Sequence, residues 1–209
     1  MTTDLRAAAP ARIGLLGGRF DPPHLAHLAL AQTALSSLQL DEVRWLPAGQ
    51  PWQKVGREMA PGLHRAAMVR LLISGEPRFH LDERELHRPG ATYTVDTVRE
   101  FREQQPQAEF FLILGQDQYS RLDTWRDWHA LLGQVTLAVA ARGGQRPLPS
   151  PALAAHPHRL EVLPLPDMPE SSTALREALT RGDDVSPMVG PAVAGYIAQH
   201  HLYRGPTPT

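Results

Sequence analysis

Two histidines, His24 and His27, are spaced so that both lie on one face of a helix. They follow the pair Gly17 and Gly18, which ends an apolar run, and Asp21 before two prolines predicts a helix N-cap. Glycines let a backbone approach a bulky anion, and a helix start offers unpaired N–H groups and a positive dipole end. Because an imidazole can also donate a hydrogen bond to a phosphate oxygen, this stretch predicts a nucleotide phosphate site.

The same stretch has two other interpretations. It is compatible with a tight strand-to-helix turn that carries two ordinary surface histidines. A zinc pair is the other alternative, but the sequence offers no further ligands at a suitable spacing.

A second stretch combines hydroxyls with a cation. Ser171, Ser172 and Thr173 precede Arg176, and Ser172 or Thr173 would simply cap the following helix. A cation in a first turn opposes the helix dipole unless an anion is present. We therefore also expect a second phosphate clamp here.

Three further positions could hold the rest of a nucleotide substrate. Gly115 and Asp117 end the most apolar strand, where a carboxylate can bind a ribose, although such sequences are also common in turns. Thr94 is a plausible helix cap. Trp125 and Trp128 are compatible with a core position or with stacking on a substrate ring.

The elements that would position these residues alternate between strand and helix. This pattern predicts an α/β fold, a Rossmann-like three-layer αβα arrangement with a mainly parallel sheet of five to six strands and ligands at their carboxyl ends. We expect a flexible extension at 1–11 and a single domain at 12–204. The predicted strands are 13–16, 43–47, 79–81, 109–115, 135–140 and 160–163, and the predicted helices are 22–38, 63–72, 94–104, 119–132, 173–181 and 188–200. Loops 48–60 and 143–158 are candidates for closing over substrate.

Composition limits the possible partners. A net charge of -1 over 209 residues argues against a nucleic-acid or anionic-membrane binder. The absence of cysteine excludes disulfides, thiolate zinc sites and cysteine nucleophiles. No signal peptide or long apolar run is visible, so a cytoplasmic location is expected. The sequence leaves open whether the chain is a monomer or a homo-oligomer.

Together these stretches resemble the bacterial nicotinate-nucleotide adenylyltransferases, within the nucleotidyltransferase superfamily that carries HxGH-type and SSTxxR-type signatures. The resemblance implies transfer of the adenylyl group of ATP to nicotinate mononucleotide, giving nicotinate adenine dinucleotide and pyrophosphate in NAD biosynthesis, with Mg²⁺ carried by ATP. It covers nearly the whole chain, through 17–27, 46–54, 81–86, 92–97, 111–117, 124–125, 171–176 and 196–203.

The resemblance also implies roles for individual residues. His24, His27 and Arg176 would be catalytic, as charge stabilisers on the triphosphate. ATP would be bound by Gly17, Gly18, Phe20, His24, His27, Gly115, Asp117, Ser171, Ser172 and Arg176. Nicotinate mononucleotide would be bound by Tyr93, Thr94, Trp125, Arg142 and Lys54.

Four positions depart from the family pattern. Arg19 replaces a small residue, Ala26 replaces the glycine between the histidines, Gln53 replaces a histidine, and Arg126 stands where an aromatic residue is common. Three rival functions stay open: the same transfer to nicotinamide mononucleotide, transfer to phosphopantetheine, and non-catalytic nucleotide sensing.

Overall fold

A six-stranded parallel sheet forms the centre of the computed structural model, which describes residues 9–51, 59–140, 145–166 and 171–204. The strands are β1 (Arg12–Gly18), β2 (Glu42–Pro47), β3 (Gln50–Pro51), β4 (Phe79–Leu81), β5 (Ala91–Thr92), β6 (Glu109–Gly115), β7 (Thr136–Ala140) and β8 (Leu160–Leu163). The main sheet has the order β4-β2-β1-β6-β7-β8, and all its neighbouring strands are parallel. Strands β3 and β5 pair separately. The predicted αβα architecture is confirmed.

Helices cover the sheet and connect its strands. They are α1 (Leu25–Ser37), α2 (Gly62–Ile73), α3 (Arg84–His87), α4 (Thr94–Gln104), α5 (Gln116–Tyr119), α6 (Trp128–Leu132), α7 (Pro151–Ala154), α8 (Ser172–Arg181), α9 (Ser186–Val189) and α10 (Pro191–Gln199), with a 3₁₀ turn at Leu122–Thr124.

Strand β6 shows why its sequence is apolar on both faces. Phe110, Leu112 and Leu114 pack into the core on one side of the sheet, whereas Phe111 and Ile113 pack into the core on the other side. Side chains alternate across a strand, so a strand covered on both faces must be apolar throughout.

The sheet opens where its strand order reverses. Strands β1 and β6 are neighbours, but their pairing ends at Leu15 and Leu112, three residues before the strands end at Gly18 and Gly115. The two central strands therefore separate at their carboxyl ends. In a doubly wound sheet this is the position where ligands bind.

The C-terminal helices belong to the same folded unit. Met68 of α2 packs with Leu175 of α8 and with Val189, Val193 and Ile197 of the last two helices. This third apolar cluster fixes the start of α8 relative to the sheet.

The helix predicted at 119–132 is wrong as a continuous element. The chain forms α5, the 3₁₀ turn and α6 instead. Trp125 is extended, and Asp127 adopts a left-handed conformation with φ of 48°. Neither conformation is compatible with a helix, so the chain turns at these residues.

The helix predicted at 188–200 begins at Pro191. Gly190 has φ of 81° and separates it from α9. Proline lacks the N–H that a continuous helix would need, but it suits a first helical position.

Three predicted helix caps are also wrong. His24, and not Asp21, is the N-cap of α1, because Asp21 is buried and bonded to other segments. Tyr93 precedes α4, which makes Thr94 its first helical residue. Ser171 caps α8 by accepting a hydrogen bond from the Ala174 N–H, so neither Ser172 nor Thr173 is the cap.

Gly49 should tolerate no side chain. A Cβ there would lie 2.1 Å from the carbonyl oxygen of Glu85 and 3.0 Å from Thr92 Cγ2. We expect Gly49→Ala to lower the free energy of unfolding by about 1–3 kcal/mol, as overpacking does. Urea unfolding measures this, with Gly75→Ala as the control because its Cβ would meet nothing within 4 Å. Equal unfolding midpoints for the two variants would contradict the expected clash.

Candidate active site

A cavity of about 260 Å³ lies at the opening between β1 and β6. Five of the residues predicted to bind ATP or the mononucleotide line it together: Gly17, Gly18, Tyr93, Thr94 and Trp125. They come from the end of β1, the start of α4 and the segment after the 3₁₀ turn. The fold therefore brings together residues that are more than 100 positions apart.

The cavity has apolar walls and a polar edge. Leu46, Val98, Leu112 and Leu114 line it beside Trp125, and they suit a flat ring. The eleven-residue helix α4 starts at this cavity, and the first N–H groups of a helix have no acceptor within it. The geometry fits a ring that carries an anionic substituent.

The two histidines form a stacked pair at the start of α1. Their ring centroids lie 3.7 Å apart, and the backbone N–H of His24 donates to Nδ1 of His27 over 3.2 Å. The Phe20 and His27 rings meet in an edge-to-face arrangement with their centroids 5.1 Å apart. Because Nδ1 of His27 accepts, a neutral His27 carries its proton on Nε2 and can donate from there.

Burial keeps both imidazoles neutral near pH 7. It lowers the pKa of His24 to about 4. Burial, and then repulsion from His24, lowers the pKa of His27 well below its ordinary value. Nδ1 of His24 is buried and has no hydrogen-bond partner among the described residues. An unpaired polar atom in such a place is unfavourable unless a ligand satisfies it.

Asp21 ties the loop at 17–24, the predicted phosphate site and from here the phosphate loop, to distant parts of the chain. Its carboxylate is fully buried and accepts hydrogen bonds from the Tyr203 hydroxyl at 2.8 Å and the Ala60 N–H at 3.1 Å. It also lies 3.4 Å from a guanidinium nitrogen of Arg19 and 3.8 Å from one of Arg176. The carboxylate is therefore compensated by groups from four separate stretches.

The buried Arg65 supports the same loop. Its guanidinium donates to the carbonyl oxygens of Arg19 and Ala60 at 2.8 and 3.0 Å. It thus links the backbone of the phosphate loop to the segment that precedes α2.

The two stretches that predict phosphate binding contact each other. Ser172 donates from its hydroxyl to the Pro22 carbonyl at 3.0 Å, and Arg176 donates to the Asp21 carbonyl at 2.6 Å. Arg176 also donates to the Thr173 hydroxyl. Ser172 and Arg176 therefore anchor α8 on the phosphate loop, while Ser171 caps that helix.

Gly17 and Gly115 lie at the carboxyl ends of the two central strands, beside open space. A Cβ at either glycine would meet nothing within 4 Å, so protein packing does not require glycine there. Asp117 follows on the short helix α5 and is exposed. This arrangement leaves room for a ligand at the carboxyl ends of β1 and β6.

Phe20 has a different setting from the other predicted nucleotide contacts. Its side chain is buried against His27 and Trp45, and its backbone has φ of 48°. Any contribution to ATP binding would come from its backbone or from its support of the His27 ring.

Sequence reasoning missed a buried acid in the cavity wall. Glu85 accepts a hydrogen bond from Thr97 at 2.8 Å, and Arg88 donates to the same hydroxyl at 3.0 Å. Burial raises the pKa of Glu85. The motifs at 81–86 and 92–97 contain Glu85 and Thr97. The sequence therefore marked both positions, but it did not indicate that Glu85 is buried and bonded to Thr97. Tyr203 likewise lies in the motif at 196–203, whereas Arg65 lies in none of the motifs.

Two predicted contacts of the mononucleotide, Lys54 and Arg142, lie outside the described residues, as does Gln53. Residues 52–58 of the candidate closing loop 48–60 and residues 143–144 of the candidate closing loop 143–158 also lie outside the described residues. Within the described ranges, no helix is long and apolar enough to cross a membrane.

Removing the Asp21 charge should destabilise the fold. In Asp21→Asn the guanidinium groups of Arg19 and Arg176 lose their buried anion, so we expect a loss of about 3–5 kcal/mol in unfolding free energy. Urea unfolding measures it. Asp183→Asn is the matched control, because that carboxylate forms a surface pair with Arg181 and should matter by less than about 1 kcal/mol. Similar losses in both variants would contradict the role given to Asp21.

His24 should make stability depend on pH. Its folded pKa is lowered, so the unfolded state binds the proton more readily, and stability is lost as pH falls from about 6.5 to about 4. The shift corresponds to about 3 kcal/mol. Urea unfolding at several pH values, for the natural chain and for His24→Asn, isolates this contribution. Parallel pH profiles for the two proteins would show that His24 is not held neutral.

Comparisons with known proteins agree with this geometry. The Cytidylyltransferase-like family model matches residues 15–178. A probable nicotinate-nucleotide adenylyltransferase from Methylibium petroleiphilum is 50% identical over 97% of this chain and 97% of its own. One from Bordetella petrii is 48% identical over 92% of this chain and 99% of its own. The fold is similar to that of a nicotinic acid mononucleotide adenylyltransferase from Plasmodium falciparum complexed with NaAD. The TM-score is 0.75 and the sequence identity is 22%, and the match covers 92% of this chain and 97% of that one. The chain therefore belongs to the nicotinate-nucleotide adenylyltransferase family of cytidylyltransferase-like proteins.

Proposed function

We propose that the protein transfers the adenylyl group of ATP to nicotinate mononucleotide, giving nicotinate adenine dinucleotide and pyrophosphate as a step of NAD biosynthesis. The observation that carries this proposal is the cavity between β1 and β6, in which the phosphate loop and an aromatic-lined slot meet. Two substrates, one a triphosphate and one a ring with an anionic group, would fit such a site. The names of the relatives support the same reaction.

The triphosphate would bind at the start of α1. Gly17 and Gly18 leave the backbone accessible, and neutral His24 and His27 would donate hydrogen bonds to phosphate oxygens. Arg176 would add positive charge from α8, beside Ser171 and Ser172. Asp117 and Gly115 would hold the adenosine at the end of β6.

The mononucleotide would bind at the start of α4. The N–H groups near Thr94 would donate hydrogen bonds to the ring carboxylate, and Trp125 would stack on the pyridine beside Tyr93. Lys54 and Arg142 would meet the phosphate of this substrate.

The chemistry follows from bringing the two substrates together. A phosphate oxygen of the mononucleotide attacks the α-phosphorus of ATP, the new P–O bond forms, and the bond to the β-phosphate breaks as pyrophosphate leaves. The attacking oxygen is already anionic near pH 7, so no general base is needed. Catalysis then consists of alignment and of charge stabilisation by His24, His27 and Arg176.

Mg²⁺ would enter with ATP as part of the substrate. In the described part of the chain, no group of three or more His, Cys, Asp or Glu residues could hold a metal ion. Phosphate oxygens and water would therefore be the main ligands. We extend the proposal to a cytoplasmic setting, with ATP and nicotinate mononucleotide as the partners.

A pyrophosphate-release assay tests the proposal with MgATP and three acceptors: nicotinate mononucleotide, nicotinamide mononucleotide and phosphopantetheine. We expect the highest kcat/KM with nicotinate mononucleotide. A higher value with either other acceptor would reassign the substrate. No release with any acceptor, despite ATP binding, would identify a nucleotide sensor.

His27→Ala should lower kcat by about 100-fold or more, the scale for losing one transition-state donor. His80→Ala is the control, because this half-exposed histidine pairs with Glu42 on β2 away from the cavity. Circular dichroism verifies that both variants are folded. Near-normal turnover in folded His27→Ala would exclude the role given to this imidazole.

A further inference from the structure

Arg126 is a charged residue in the aromatic part of the cavity. It follows Trp125 in the chain and lines the same cavity as Tyr93 and Thr94. Its guanidinium carbon lies 4.6 Å from the centroid of the Tyr93 ring. A guanidinium at this distance from an aromatic face is attracted to it, which restrains a side chain that is otherwise exposed.

The charge of Arg126 is not compensated by a nearby acid. Among the described residues, no carboxylate lies within 4 Å of its guanidinium, and the adjacent Asp127 belongs to another ion-pair group. Asp127 and Asp96 both pair with Arg99, at 3.7 and 3.0 Å. An exposed cation that keeps its charge and its donors is suited to receive an anion.

The other charged residues of the cavity are already engaged. Arg19 lies beside the buried carboxylate of Asp21. Glu85 is bonded through Thr97 to Arg88. Arg126 therefore supplies the cavity-lining charge that the described protein groups do not balance.

We propose that Arg126 determines specificity, by attracting the carboxylate of a pyridine ring and so favouring the acid mononucleotide over its amide. This inference rests on the proposed function. A guanidinium can form charge-assisted hydrogen bonds with a carboxylate but gains much less from a neutral amide.

The position of Arg126 favours the ring carboxylate over the substrate phosphate. Its guanidinium packs on the ring of Tyr93, and it directly follows Trp125, the two residues that would surround the pyridine. A phosphate contact would strengthen the binding of both mononucleotides equally, because both carry that group. The choice between acid and amide therefore distinguishes the two roles.

The test measures kcat and KM with nicotinate mononucleotide and with nicotinamide mononucleotide, for the natural chain and for Arg126→Gln, Arg126→Lys and Arg121→Gln. The last variant is the matched control, since Arg121 is an exposed arginine of the same segment that does not line the cavity. We expect Arg126→Gln to lower kcat/KM for the acid by about 10- to 100-fold, mainly through KM, which is the range for a hydrogen bond to a charged group. The value for the amide should change by less than about threefold, and the lysine variant should recover part of the preference.

Two results would overturn the inference: an equal loss with both mononucleotides, which indicates a phosphate or structural role, or no loss with either. Failure of the proposed function has a different signature, because the natural chain itself would then form no dinucleotide from nicotinate mononucleotide. An equal change in the acid-over-amide preference in Arg121→Gln would also contradict the inference, because the effect would then come from general surface charge.

Discussion

The buried carboxylate of Asp21 is the constraint on which the phosphate loop depends. An isolated carboxylate would be very unfavourable in a fully buried position, so its partners must be present whenever the loop is folded. Those partners include the Ala60 N–H, Arg176 on α8 and the Tyr203 hydroxyl near the chain end. The conformation of the phosphate loop thus depends on residues that are far from it in the sequence. The apolar cluster of α2, α8, α9 and α10 serves the site by holding those segments in place.

Two kinds of side chain, imidazoles and guanidinium groups, lie at the proposed phosphate site. Burial removes the charge of His24 and His27, which leaves them as hydrogen-bond donors. An arginine keeps its charge in similar surroundings, so in the proposed reaction Arg19 and Arg176 would supply positive charge to the phosphates. The imidazoles would orient the phosphates through hydrogen bonds, and the guanidinium groups would balance their negative charge. Because neither imidazole titrates near pH 7, small pH changes there leave the electrostatics of the site almost unchanged.

The sequence predicts those features that depend on local patterns. The strand β6, the glycines at the ends of β1 and β6, and the presence of helices α1 and α8 follow from apolar runs and local side-chain patterns, but the caps of these helices do not. Asp21 shows the limit, because the local rule for helix caps competes with a hydrogen bond to Tyr203, 182 residues away. The break at 125–127 had no signal either, since nothing local requires Asp127 to be left-handed. The hydrogen bonds of Asp21 come from long-range partners, which neither periodicity nor propensity can identify.

The distribution of charge explains how a nearly neutral protein could assemble two anionic substrates. The chain as a whole carries a net charge of -1, so long-range attraction is weak. Around the phosphate loop, however, Arg19, Arg65 and Arg176 surround the single carboxylate of Asp21, and Arg126 lies in the aromatic part of the cavity. Salt screens such charges over about 8–10 Å, so they act on a substrate only once it has entered the opening between β1 and β6. Each anionic end would then meet its own cation. Positioning of the two substrates, and discrimination between similar ones, therefore depend on contacts inside the cavity and not on the overall field of the protein.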